Sequence, residues 1–142
     1  MHSIHFLGEW LGCRTSVDAL RDPASIRALC VEHVMRHHVS IAGDLFAASA
    51  HEGVVGTIMA DDMHIVLRTF PDRHAVDIDL YASSRHNADI GMVFHLLSDL
   101  CDDFKPTRTM LHRVQHGTDS QVMGRTPVRP TRSSGFTSWR AA

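Results

Sequence analysis

The chain has almost no lysine. Lys105 stands alone against thirteen arginines and twelve histidines, so a lysine-bound pyridoxal-type cofactor would have a single possible attachment point and is not expected. Cysteine is scarce as well. Cys13, Cys30 and Cys101 are odd in number and widely spaced, a pattern that fits reduced, inert thiols better than a disulfide framework or a zinc knuckle. No run of about 18 apolar residues is present to span a bilayer, and the N-terminus lacks a basic region followed by an apolar stretch. No membrane partner is expected, and a cytoplasmic location is the default. A formal charge of −2 supplies no broad electrostatic attraction to nucleic acid.

What is present is an ordinary globular composition, 44% hydrophobic over 142 residues, enough for one domain with a real core. Residues 3–12 read as an opening strand. Asp22 before Pro23 is a helix start, with the aspartate as cap and the proline in the first turn. Ile26, Leu29, Cys30 and Val34 then recur at helical spacing, predicting an amphipathic helix over 23–36. Val39, Ile41, Gly43 and Leu45 alternate as a half-buried strand requires. Residues 54–60 and 63–70 form a strand pair joined at Asp61-Asp62, and Pro71-Asp72-Arg73 makes the next turn. Val76, Ile78 and Leu80 alternate with Asp77, Asp79 and Tyr81, giving a strand with one apolar and one polar face. Asn87 caps a second helix with an apolar stripe from Ile90 to Phe104; Lys105-Pro106 stops it, and 107–115 return as a last strand.

These elements predict an α+β, two-layer sandwich: a mainly antiparallel sheet with two helices packed on one face. The other sheet face must meet water, ligand or a second subunit. Residues 1–116 form the domain. Residues 117–142 are rich in Ser, Thr, Pro, Gly and Arg and read as a flexible tail; Arg125, Arg129, Arg132 and Arg140 could touch an acidic partner, although solubilisation is the simpler reading. His33 and His37, spaced i,i+4 in the first helix, could share a metal, but no third ligand is suitably placed, and no native metal is expected.

The segment running from Asp61-Asp62-Met63-His64 to Arg68-Thr69-Phe70-Pro71-Asp72 resembles the self-cleavage region of bacterial S-adenosylmethionine decarboxylases, which reads Glu-Ser-His, three residues, then His-Thr-Trp-Pro-Glu. Gly53-Val54-Val55-Gly56 leads in as that family's Gly-Val-x-Gly does. Ile78-Asp79-Leu80-Tyr81 follows at the spacing of its Ile-Asp-Leu-Phe-Thr-Cys. His5 to Cys13 is similar to its opening His-x-x-x-Glu strand, with Glu9 as the acid. The resemblance spans roughly residues 3–116 and implies the family's fold and its link to polyamine metabolism and spermidine biosynthesis.

It also implies that the family's chemistry is missing. In those enzymes the serine becomes a covalent pyruvoyl group, which takes the substrate amine as an imine and acts as electron sink. Met63 holds that serine's place, and a thioether cannot form the required ester. Between Ser49 and Ser83 there is no serine or cysteine, and the only side-chain alcohols, Thr57 and Thr69, lie away from the turn. Arg68 stands at the processing histidine and Ser83 at the proton-donating cysteine; neither replacement suits that chemistry near neutral pH. No pyruvoyl cofactor is therefore expected.

Four positions keep binding potential under the resemblance. Asp72 stands for a ribose-binding glutamate, Phe70 for a tryptophan, His64 is unchanged, and Glu9 is retained. Ser49 falls where the family supplies an aromatic partner for adenine, leaving Phe46 as the nearest aromatic. Arg68 could instead clamp a substrate carboxylate, or pair with Asp77 or Asp79 on a neighbouring strand. Three functions follow: an inactive or regulatory S-adenosylmethionine- or nucleoside-binding homologue, forming a homodimer or pairing with an active relative; a repurposed, pyruvoyl-independent lyase acting on S-adenosylmethionine; or, against the residues just described, an ordinary decarboxylase.

Overall fold

A computed structural model describes residues 2–84 and 88–117. The strands are β1 (His2–Leu11), β2 (Ile41–Ala48), β3 (Val54–Ala60), β4 (Met63–Phe70), β5 (Ala75–Ser84) and β6 (Arg108–Gly117). The helices are α1 (Val17–Arg21), α2 (Pro23–Arg36) and α3 (Ala88–Phe104), with a 3-10 turn at Pro71–Arg73. The strands form one antiparallel sheet in the order β2-β3-β4-β5-β1-β6. All the helices pack on one face, so the architecture is the expected α+β two-layer sandwich.

The alternation of side chains divides the molecule. Phe6 and Trp10 from β1, Ile65 and Leu67 from β4, and Ile78 and Leu80 from β5 are buried beneath the helices. The helices answer with Ile26, Cys30 and Val34 from α2 and Leu96, Leu97, Leu100 and Phe104 from α3. Trp10 lies against Phe104 with ring centroids 5.5 Å apart. Burial pushes the Cys13 thiol up to about 11, and those of Cys30 and Cys101 to about 12, so all three free cysteines are protonated near neutrality.

Local signals account for the helix starts. Asp22 accepts from the Ala24 amide at 3.2 Å and from the Ser25 hydroxyl, with Pro23 in the first turn. The short α1 lies outside the predicted elements. It has only five residues, one of them buried, and starts where Ser16 accepts from the Ala19 amide at 3.2 Å.

The β2 expectation needs correction. Its sequence alternates Ile41, Gly43 and Leu45, but the register shifts between Ile41 and Gly43, and a bulge exchanges the faces beyond it. Leu45 is left 67% exposed, while Phe46 turns toward the helices and packs on the core. Gly56 lies directly across from Phe46 and makes room for it; a Cβ there would stand 2.2 Å from the ring. The expected Asn87 cap and the Arg125, Arg129, Arg132 and Arg140 tail lie outside the described residues.

Candidate functional site

Directly opposed residues in neighbouring strands share a face, so the register fixes the open side of the sheet. One row crosses it as Ala47, Val55, Arg68, Asp77, Glu9, Met110. The next reads Leu45, Thr57, Val66, Asp79, Leu7, His112. A third reads Gly43, Met59, His64, Tyr81, His5, Val114. The β2–β3 half of this face is apolar or small, and the β4–β5–β1 half carries its charge.

Met63 and Ser83 meet at one end of the molecule. Met63 opens β4 only 7% exposed, and together they line a cavity of about 260 Å³ with His38, Ser40, Asp61 and Asp62. Ile90, Met92 and Val93 of α3 form its apolar wall. The Ser83 amide donates to the Asp62 carbonyl at 2.8 Å. That carbonyl belongs to the peptide bond preceding Met63. His38 reaches this rim because it ends α2 in the left-handed region, at φ 59°; His38 and Ser40 were not among the predicted site residues, since neither belongs to a recognisable motif.

His64 points the other way, onto the open face. Its ring stacks on Tyr81 at 5.3 Å; His5 meets Tyr81 edge-on at 6.0 Å and bonds to Asp79 through Nε2 at 2.5 Å. Glu9 and Arg68 lie toward the opposite end of the strands, in a second groove of about 450 Å³ with Asp77, Asp79, Val66 and Met110. The Asp77 carboxyl is raised above its ordinary value, first by burial and then by Glu9, while Arg73 and Arg68 pull it down. Arg68 faces Asp77 in register but forms no ion pair with it among the described residues.

Phe70 and Asp72 occupy the far end of β4. Arg73 stacks over the Phe70 ring with its guanidinium carbon 4.5 Å from the centroid, and Asp72 is exposed in the following turn. Seven residue steps separate Met63 from Phe70, a span of about 23 Å at strand rise. One chain therefore brings Met63 and Ser83 together but keeps Phe70, Asp72, Glu9 and Arg68 apart from them. Phe46 lies under the helices and contributes to neither groove. Thr69 holds the backbone together, because its hydroxyl donates to the Leu20 carbonyl at 2.6 Å and accepts from the Val54 amide at 2.8 Å.

The helical histidines have carboxylate partners. His33 bonds to Asp103, and His37 to Asp99 at 2.7 Å, so two pairs tie α2 to α3. Among the described residues no group of three or more His, Cys, Asp or Glu is arranged to hold a metal. No described helix is long and apolar enough to cross a membrane.

A two-layer antiparallel sandwich with a strand–turn–strand at Asp61-Asp62-Met63, and a polar open sheet face, defines a recognisable class. The chain belongs to the S-adenosylmethionine decarboxylase family, whose pattern it matches over residues 4–117. It is 26% identical over 77 residues to the S-adenosylmethionine decarboxylase proenzyme 2 of Halalkalibacterium halodurans, a stretch covering 54% of this chain and 59% of that protein. The match thus takes in about three-fifths of the relative's length. The crystal structure of the adenosylmethionine decarboxylase from Aquifex aeolicus is similar with a TM-score of 0.71, covering 87% of this chain and 97% of that one. At 15% identity, this last likeness speaks for the fold.

Proposed function

We propose that this protein does not process itself to a pyruvoyl enzyme and acts as a catalytically inactive or regulatory homologue in polyamine metabolism, binding S-adenosylmethionine or a related nucleoside. The observation that carries this reading is Met63 at the start of β4, where the resemblance requires serine. A pyruvoyl group arises only when the residue after the broken bond is itself the esterified serine, because elimination from that ester leaves the new N-terminal carbonyl. Ser83 lies beside the Asp62 carbonyl, yet it cannot substitute. Attack by its hydroxyl would form an ester on Ser83 and release Met63 with an ordinary amino group.

Pairing with a second copy or an active relative is part of the proposal. The separation of about 23 Å between the Met63 and Phe70 ends of β4 leaves one chain with a divided site. Two sheets packed face to face about a two-fold axis perpendicular to their strands would set the Phe70–Asp72 end of one beside the Met63–Ser83 end of the other. The apolar β2–β3 half of the open face, with Leu45 67% and Met59 52% exposed, suits such burial. An inactive copy in that arrangement could complement or restrain an active one.

One observation favours a second reading. Arg68 lacks a protein ion pair among the described residues and could hold a substrate carboxylate. A pyruvoyl-independent lyase would let that carboxylate attack the substrate's own γ-carbon, with the sulfonium leaving as a neutral thioether, and would ask of the protein mainly positioning. Incubation of the pure protein with S-adenosylmethionine separates the readings. Binding without products supports the regulatory role; methylthioadenosine with homoserine lactone supports the lyase; carbon dioxide overturns both.

A further inference from the structure

We propose that the outer edge of β6 takes an acidic, extended peptide segment of another protein as an added strand of the sheet. Among the described residues β6 pairs with β1 alone. An edge of this kind presents a row of unpaired amide and carbonyl groups, the template for strand addition. β6 lies at the end of the sheet farthest from β2, so neither Met63 nor the apolar β2–β3 half of the open face takes part. The inference therefore rests neither on the regulatory reading nor on the paired arrangement.

Charge selects the partner. The sequence of β6 holds two arginines and two histidines but no acid. Arg108 is exposed and has no ion pair among the described residues, and Arg113 has the neutral Gln115 as its hydrogen-bond partner at 2.6 Å. Arg14 and Lys105, both exposed and without an ion pair among the described residues, extend this line past the start of β6, where the Arg14 amide donates to the Lys105 carbonyl at 3.2 Å. Of the acids on neighbouring elements, Asp99 and Asp103 are bonded to His37 and His33, Asp102 is exposed in the last turn of α3, and Glu9 stands opposite Met110 on the open face. A second copy's β6 would set like charges against one another. Residues 118–142, which follow β6, contain four arginines and one aspartate. Both are repelled by the cations that attract an acidic strand.

Register sets the pattern the partner needs. On the helix side, a groove of about 520 Å³ lies between β6 and α3, with Phe6, Ile90 and Phe94 as its apolar lining and Arg113 and Gln115 at its β6 wall. Arg113 belongs to this side because it opposes the buried Phe6, and its guanidinium carbon lies 6.0 Å from the centre of that ring. Arg108, Met110 and His112 alternate onto the other side. A guest strand alternates its side chains in the same way. Apolar residues directed to the groove and acids directed to the Arg108 side therefore make the complementary sequence, an acid–apolar alternation.

The test is fluorescence polarisation of a labelled alternating Glu-Val octapeptide with the full chain, at an ionic strength of about 0.15 M so that distant charges are screened. Two octapeptides serve as controls: alternating Lys-Val reverses the charge, and alternating Glu-Pro keeps it but cannot pair as a strand. The Glu-Val peptide should bind, with both controls weaker by about tenfold or more. Its binding should slow hydrogen exchange at the amides of β6 and leave those of β2, the other edge, unchanged. Arg108→Glu with Arg113→Glu should weaken binding by about tenfold or more. Arg21→Glu with Arg36→Glu, the same change of charge on α1 and α2, should leave it unchanged. The proposal is overturned if the Glu-Val peptide does not bind, if either control or a single-stranded oligouridylate binds as tightly, if the protection falls on β2, or if the α1–α2 pair weakens binding as much as the β6 pair. Protection of β6 that rises with protein concentration in the absence of peptide would give the edge to a second copy and overturn it too. The peptide comparison and the exchange pattern decide the matter on the unaltered chain should the β6 variant fail to fold.

Discussion

Single residues decide most of the chemistry. Met63 occupies the start of β4 and Ser83 the matching end of β5, joined through the Asp62 carbonyl. On the proposed reading, restoring serine alone is not enough, because the resemblance puts Arg68 at the position of the processing histidine. Met63→Ser should therefore remain a single chain, as followed by mass spectrometry over days. Thr69 matters for stability instead, since its hydroxyl serves two buried backbone groups. Thr69→Val should cost about 1–3 kcal/mol of stability in urea denaturation. Asp77 adds a pH signature. Its folded-state pKa is raised, so its ionised form opposes folding, and the penalty develops as pH rises from the ordinary carboxylate value through the raised one. Asp77→Asn should therefore increase stability at neutral pH, and the gain should vanish as pH falls below about 4.

At the scale of elements, much was legible and some was not. The alternation of Val76, Ile78 and Leu80 with Asp77, Asp79 and Tyr81 correctly assigned both faces of β5, because a strand's period of two leaves little freedom when one face is buried. The β2 pattern misled, since one bulge between Ile41 and Gly43 exchanges the faces, and Gly43, a residue type that often marks a bulge, reads as part of the regular alternation. Phe46 and Gly56 show the consequence. Gly56→Ala should destabilise by about 1–3 kcal/mol through collision with the Phe46 ring, and in the background of Phe46→Ala it should cost much less, measurable as a double-mutant coupling. The i,i+4 histidines of α2 were visible in the sequence, but their aspartate partners lie far along the chain on α3. Spacing alone could not tell a metal pair from an interhelical tie. Asp103→Ala leaves the His33 imidazole, 7% exposed, without its partner and should cost about 1–3 kcal/mol; Asp99→Ala, beside the more exposed pair, should cost under about 1 kcal/mol.

At the scale of the whole molecule, the sandwich explains why a motif contiguous in sequence is not a contiguous site. Residues 62–72 read as one catalytic segment, yet β4 carries its two ends about 23 Å apart and turns alternate side chains to opposite faces. The resemblance singled out positions along this segment, but not their separation, which follows from strand geometry and not from residue type. What the fold leaves open is a sheet face that is apolar at β2–β3 and charged at β4–β5–β1, suited to a partner and a small ligand. If a second copy covers it, Leu45→Asp with Met59→Asp should lower the mass in sedimentation equilibrium from twice the chain mass to 15.8 kDa.

The most direct measurement is the mass of the purified protein under denaturing conditions. Loss of pyruvoyl formation requires one species at 15.8 kDa beginning at the chain's own N-terminus. Two fragments divided between Asp62 and Met63, the second blocked to N-terminal sequencing, would contradict it.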